Sequence, residues 1–201
     1  AGLYNNNILA SLLKKKVKYE FVEDLDPILH KTRHFNEMSL HVNTPYMAIW
    51  DVDIVPEKRV IIDCVQKLEK NEADVAYPYN GNCYNVSKLL RELFIKKKDI
   101  RLLHRHKNKI NLLHNQPLVG GAVLVKKDRF IFSGKENEKI YGWGDDDFCR
   151  YYHYLALGFK IYRARICLFH LWHPRQENSC YENNISRDLS KRELFISQNK
   201  V

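Results

Sequence analysis

The segment Pro45-Tyr46-Met47-Ala48-Ile49-Trp50 constrains the fold most. Six consecutive apolar residues are too few for a core helix and suit a strand buried on both faces, the kind found in sheets covered by helices. Around it the pattern switches to helical spacing. Residues 30–42 read as a helix, and Pro56 opens another whose apolar face is Val60, Ile61, Cys64, Val65 and Leu68. Residues 73–77 form a short strand stopped by Pro78. This βαβα order predicts an α/β sandwich with a mainly parallel central sheet.

Upstream, residues 5–16 carry Ile8, Leu9, Leu12 and Leu13 on one helical face, and residues 17–22 alternate as a strand. Downstream, residues 86–98 read as a helix, residues 101–115 as an exposed basic loop, and residues 117–126 as a strand entered through Gly120-Gly121. Residues 146–157 form a helix ended by Gly158, residues 159–163 a strand, and residues 186–197 a last helix. With 201 residues and a hydrophobic fraction of 45%, one packed domain is expected over 1–201. Its parts are a nucleotide-binding half (1–80), an acceptor and metal half (81–185) and a C-terminal helix (186–201).

A formal net charge of +9 points to an anionic partner: a nucleotide, a nucleic acid or an acidic membrane face. The cations concentrate at Lys14-Lys15-Lys16, at Lys96-Lys97-Lys98 and over residues 101–109, where solvated helix ends are the plain alternative to a docking face. Five scattered cysteines without CxxC or zinc spacing fit reduced thiols. No signal segment and no long apolar run stand out, so a cytoplasmic protein is expected, with the inner face of the membrane as a peripheral site.

Three clusters could carry chemistry. In Asp51-Val52-Asp53 two carboxylates follow the apolar strand, at the sheet edge where α/β folds bind ligands. Residues i and i+2 of an extended stretch project to one side, so both acids can grip one hard cation, Mn²⁺ or Mg²⁺, that bridges to phosphate. An acidic turn capping the next helix would use the same residues. Gly142-Trp143-Gly144-Asp145-Asp146-Asp147 sets an indole between glycines and stacks three acids. Such acids need a cation, a helix N-terminus or a hydroxyl-rich substrate, and one of them could act as general base. Finally, His170 and His173 flank Trp172. A neutral imidazole is a good third ligand beside carboxylates, and in a strand residues three apart face opposite ways, so one of the two is expected to reach the metal.

Taken in order, Asp51-Val52-Asp53-Ile54-Val55-Pro56, Gly120-Gly121, Gly142-Trp143-Gly144 with its acids and a late His resemble the galactosyltransferase-type glycosyltransferases of the GT-A fold. The spacing of the glycine motifs is similar to that of β-1,4-galactosyltransferases, and His170 with Glu177-Asn178 resembles the metal-His segment of bacterial chondroitin-polymerase-like enzymes. The resemblance spans about residues 17–181. It implies that Asp53 binds the metal directly and that Asp51 contacts the ribose or the metal shell. His170 would complete the metal site, with His173 as substitute. Asp147 would be the base and Asp146 would hold a sugar, although a one-residue shift exchanges the two. Trp143 would line the sugar pocket, and Gly121, Arg33 and Asn36 would join the substrate-binding set. A GT-A fold opens with a strand that holds the uracil, and the numbered chain starts at the helix after it, so that strand is expected to be lacking.

The activity implied is inverting transfer of a hexose or N-acetylhexosamine from a UDP-sugar to a glycan or glycolipid hydroxyl, in surface polysaccharide synthesis. Two other classes use parts of the same pattern. A basic nucleic-acid-binding module would use the cations but leaves the acid clusters unexplained, and no established nucleic-acid motif is present, so no nucleic-acid partner is expected. A metal-dependent phosphohydrolase would use the Asp and His clusters without a sugar acceptor.

Overall fold

The computed structural model describes residue 11 and residues 17–26, 28–174 and 180–200. The helix expected over residues 5–16 and the Glu177-Asn178 motif lie outside the described residues or almost entirely so. Residues 17–22 form no strand. Of the alternating apolar residues, Val17 is more than half exposed and Tyr19 and Phe21 are only partly buried, so little burial drives pairing there.

Helix α1 (Lys31–Leu40) leads to strand β1 (Tyr46–Trp50), then β2 (Ile54–Val55), helix α2 (Lys58–Glu69), β3 (Val75–Tyr77) and β4 (Cys83–Val86). Helices α3 (Lys88–Lys97) and α4 (Ile100–His106) follow, then β5 (Ala122–Lys126), α5 (Lys127–Phe132) and α6 (Asp146–Ala156). Strands β6 (Ile161–Arg163) and β7 (Leu168–Leu171) and helix α7 (Asn184–Gln198) complete the described chain.

The class is α/β, as the alternation predicts, but the sheets are mixed rather than mainly parallel. The larger has the order β1-β5-β3-β6, and β5 runs antiparallel to both β1 and β3 while β3 and β6 are parallel. A smaller sheet, β2-β7-β4, pairs β7 antiparallel to β2 and parallel to β4. The reason is the connection into β5. The chain from α4 returns through residues 110–121 and enters between β1 and β3 from their C-terminal ends, so no helical crossover restores the parallel direction.

Two apolar layers sandwich the larger sheet, and the strand alternation sorts residues between them. Val75, Tyr77, Val123 and Val125 pack with Phe130, Tyr154 and Phe159 on one face. Ala76 and Leu124 face the other, against Val60, Cys64 and Leu68 of α2, which recur every four residues. Central strands β3 and β5 are therefore covered on both sides. Strand β1 is not: Met47 and Ile49 are buried while Ala48 is exposed. Its continuous apolar run reflects an end position in the strand order, not the two-sided burial the sequence suggests.

A third cluster, Val86, Leu103, Cys167 and Phe169, lies under the small sheet. It explains why residues 100–106 form a helix where a loop is expected: Leu103 is fully buried and Asp99 caps the first turn by accepting from the Arg101 amide at 3.0 Å.

Candidate active site

Antiparallel pairing of β1 with β5 sets the first half of the site. Trp50 pairs with Ala122, and beyond that pair the Asp51 amide donates to the Gly121 carbonyl at 2.9 Å. The Asp51–Asp53 turn closes when the Ile54 amide donates back to Asp51 at 3.1 Å. Strand β2 then pairs with β7, Ile54 opposite His170, and the Leu171 amide donates to the Asp53 carbonyl at 2.8 Å. Two short ladders thus bring the DxD turn between the glycine pair and the late histidines.

His170 and His173 both reach Asp53. Their Nε2 atoms lie 3.6 and 3.2 Å from Asp53 Oδ2, and one potential ligand atom from each of the three residues lies within 4.8 Å of the others. The two histidines do not face opposite ways, as strand alternation predicts, because β7 ends at Leu171 and the alternation does not extend to His173. Metal ligands held at about 2.1 Å sit about 3.0–3.5 Å apart at octahedral or tetrahedral angles; the His173–Asp53 distance of 3.2 Å falls in that range and the His170–Asp53 distance of 3.6 Å just above it. The outer contacts suit ligation as well. His170 Nδ1 lies 3.2 Å from Asn85 Oδ1 and His173 Nδ1 lies 3.0 Å from the Pro174 carbonyl. An Nδ1–H donated to each oxygen leaves Nε2 with its lone pair directed at the metal position. Two imidazoles and a carboxylate suit Mn²⁺ better than Mg²⁺, which prefers oxygen donors throughout.

The acids after Trp143 open helix α6, with Asp146 and Asp147 in its first turn. The capping role and the site role therefore fall on the same side chains, whose charge the helix N-terminus favours. Asp145 is spoken for elsewhere: Tyr181 and Ser190 hydroxyls donate to it at 2.8 and 3.0 Å and Lys191 at 2.9 Å, which anchors α7. Asp146, only 6% exposed, pairs with Lys31 Nζ at 2.9 Å. Asp147 pairs with Arg150, whose other nitrogen donates to the buried Glu136 at 2.9 Å. Burial and the neighbouring Asp147 push the Asp146 carboxyl above its usual range. Burial also opposes charge on Asp147, but Arg150 and Lys31 outweigh it and hold that carboxyl low. Asp51 is pushed up to about 6 by burial, with Asp147, Asp53 and Asp146 adding repulsion and Lys31 opposing it.

Gly120 is where this acid edge meets the sheet. A Cβ there would stand 2.1 Å from Asp147 Oδ2, so only glycine lets the carboxylate rest against the strand. Gly121 has φ +79°, the left-handed conformation that turns the chain into β5. The preceding loop is fixed from below: the Tyr79 hydroxyl donates to the Gly120 carbonyl at 2.6 Å and Arg163 to the Leu118 carbonyl at 3.1 Å.

These residues line one cleft of about 420 Å³, which brings Asp51, Asp53, His170 and His173 together with Trp143, Asp146 and Asp147. Trp143 is 45% exposed and stands edge-on to Tyr181, ring centroids 4.9 Å apart. A second cavity of about 370 Å³ shares Trp143 and Lys31 with the cleft and adds Tyr141 and Tyr181.

Arg33 and Asn36 are not lining residues of this cleft. Arg33 donates to Glu37 on the exposed face of α1 at 3.0 Å. Asn36 is buried and donates to the Glu136 carbonyl and to Glu138. The α1 residue that enters the cleft is Lys31, which the sequence reading passed over. Burial works against its charge, but Asp147, Asp146 and Asp51 outweigh that and hold the ammonium well above its usual value. The available signal was spacing, since Lys31 shares a helical face with Phe35, its ammonium 5.6 Å from that ring.

Compared with known protein families and with curated proteins, the chain matches none.

Proposed function

We propose that the chain is a metal-dependent glycosyltransferase that moves a hexose or N-acetylhexosamine from a UDP-sugar to a glycan or glycolipid hydroxyl. The observation that carries this reading is the convergence of Asp53, His170 and His173 in one cleft with Trp143, Asp146 and Asp147. The sequence resemblance to GT-A galactosyltransferases supplies the reaction class.

Asp53 and the two histidines would hold Mn²⁺, with Asp51 beside it for the ribose or the metal shell. The bound ion would neutralise the negative charge that builds on the departing nucleoside diphosphate. Asp147 suits the base. It is ionised, and its side chain is 26% exposed to the cleft while that of Asp146 is 6% exposed. A low-lying carboxylate is a weak base, so its contribution rests on position against the acceptor hydroxyl more than on proton affinity. Lys31, paired with Asp146 at 2.9 Å, would orient that carboxyl toward the sugar hydroxyls. Trp143 and Tyr181 offer flat apolar faces to the C–H side of a pyranose. Inversion follows if the acceptor oxygen attacks the anomeric carbon directly while Asp147 takes its proton.

Calorimetric titration of UDP into protein with Mn²⁺ tests the reading. Saturable binding that disappears in Asp53→Ala and in the presence of chelator is expected, and absence of any UDP binding sinks the proposal. Incubation with a labelled UDP-sugar then separates transfer from hydrolysis, since a phosphohydrolase releases nucleotide at full rate without an acceptor.

A further inference from the structure

Helix α3 packs only Leu90 and Phe94 against the core. None of its ten residues is buried, and Leu89, Leu93 and Ile95 are 69, 41 and 47% exposed. At 100° per residue Leu89 and Leu93 fall on one stripe with Lys96, with Lys97 on its border, while Leu90 and Phe94 point to the cluster under the small sheet. The charge is equally lopsided. Residues 88–109 hold nine Lys or Arg and two acids, a balance of +7 against +9 for the whole chain. One of those acids, Asp99, is engaged by Arg101 at 3.0 Å. The first residue of α3, Lys88, lies 5.7 Å from the ring of Trp172, between the two candidate metal histidines in sequence, so the basic helix starts beside the cleft.

We propose that α3, with the cations of α4, is a docking surface for an anionic lipid membrane. Aliphatic side chains ringed by lysines fit this partner: the leucines enter the acyl boundary while the ammonium groups stay at the headgroups. A nucleic acid would be met by phosphate contacts and by exposed rings for base stacking, and α3 presents exposed aliphatic residues instead. No helix among the described residues is long and apolar enough to cross a membrane, so this contact is peripheral. It goes beyond the glycosyltransferase reading and does not depend on it. A membrane contact beside the cleft would nonetheless favour a lipid-linked acceptor.

Co-sedimentation of the full chain with vesicles of phosphatidylglycerol and phosphatidylcholine, against phosphatidylcholine alone, tests the surface. Binding to the anionic vesicles is expected, weakening as salt rises from roughly 0.1 to 0.5 M. Leu89→Gln/Leu93→Gln and Lys96→Gln/Lys97→Gln should each lower partitioning about tenfold or more. All four positions are exposed, and unchanged thermal unfolding will verify that the variants fold. No binding to anionic vesicles overturns the proposal. So does binding that the lysine pair weakens and the leucine pair leaves intact, which would mark a general polyanion surface, and a labelled RNA duplex would then compete. Because the readout involves no catalysis, failure here leaves glycosyl transfer standing, and the converse holds.

Discussion

The Nη1 of Arg150 donates to Glu136 Oε2 at 2.9 Å, with both side chains no more than 2% exposed. The other guanidinium nitrogen holds Asp147, so the proposed base is tied through one arginine to a carboxylate on the far side of α6. Burial pushes the Glu136 carboxyl up against the pull of Arg150, whereas Asp147 is held low. Removing the guanidinium leaves Glu136 unpaired in a dry interior and Asp147 without its counter-charge. Arg150→Met is therefore expected to lower stability by about 3–5 kcal/mol in urea unfolding, the range for breaking a buried pair. A variant within about 0.5 kcal/mol of the parent would show that the pair carries no structural weight.

Gly120 tests the position of the same base from the opposite side. In Gly120→Ala the added methyl displaces Asp147 Oδ2, and Arg150 resists the movement. A misplacement of about 1 Å costs on the order of 10²-fold in rate, so kcat for transfer should fall by about that factor with little change in the Mn²⁺ dissociation constant. Equal loss of metal binding would mean that Asp147 and the Asp53 cluster are not separable.

For the metal, His170→Ala and His173→Ala should each weaken Mn²⁺ binding at least tenfold by calorimetry, and Asn85→Ala should do so more mildly by freeing the His170 ring. If one histidine variant binds Mn²⁺ as tightly as the parent, that residue is not a ligand.

Asp51 gives the metal-free protein a pH signature. Its carboxyl is raised from 3.8 to about 6 in the folded state, so the native protein binds more protons than the unfolded chain between those values. Stability consequently falls as pH rises through that window and is constant above it, a loss of on the order of 2–3 kcal/mol from this group. With chelator present, Asp51→Asn should remove that part of the fall and gain stability relative to the parent at pH 7 but not at pH 4. A constant difference across the range would rule out Asp51 as the source.

What the sequence made readable was periodicity. The strand ending at Trp50 appears, though covered on one face only, and the four-residue repeat of Val60, Cys64 and Leu68 and the glycine-stopped helix after Asp145 appear as expected. Direction was not readable, because alternation of strands and helices does not say which way β5 enters the sheet. Strand β4 escaped notice since Cys83-Tyr84-Asn85-Val86 shows no apolar alternation and is stabilised by pairing with β7. The site divides the same way. Asp53, His170 and Trp143 were visible as residue types in suggestive company, whereas the double histidine approach and the Lys31–Asp146 pair depend on where β7 stops and how α1 docks.

The antiparallel ladder between β1 and β5 couples the two ends of the chemistry. Trp50 opposite Ala122 sets Asp51 against Gly121, and Gly120 in turn seats Asp147. Because side chains alternate along a strand, a one-residue insertion in β1 would advance the DxD turn by about 3.3 Å and flip it to the other face. The Asp51–Asp53 turn and the glycine loop consequently cannot be lengthened or exchanged one at a time. Anyone transplanting this cleft into another scaffold must move both strands together, with their register intact.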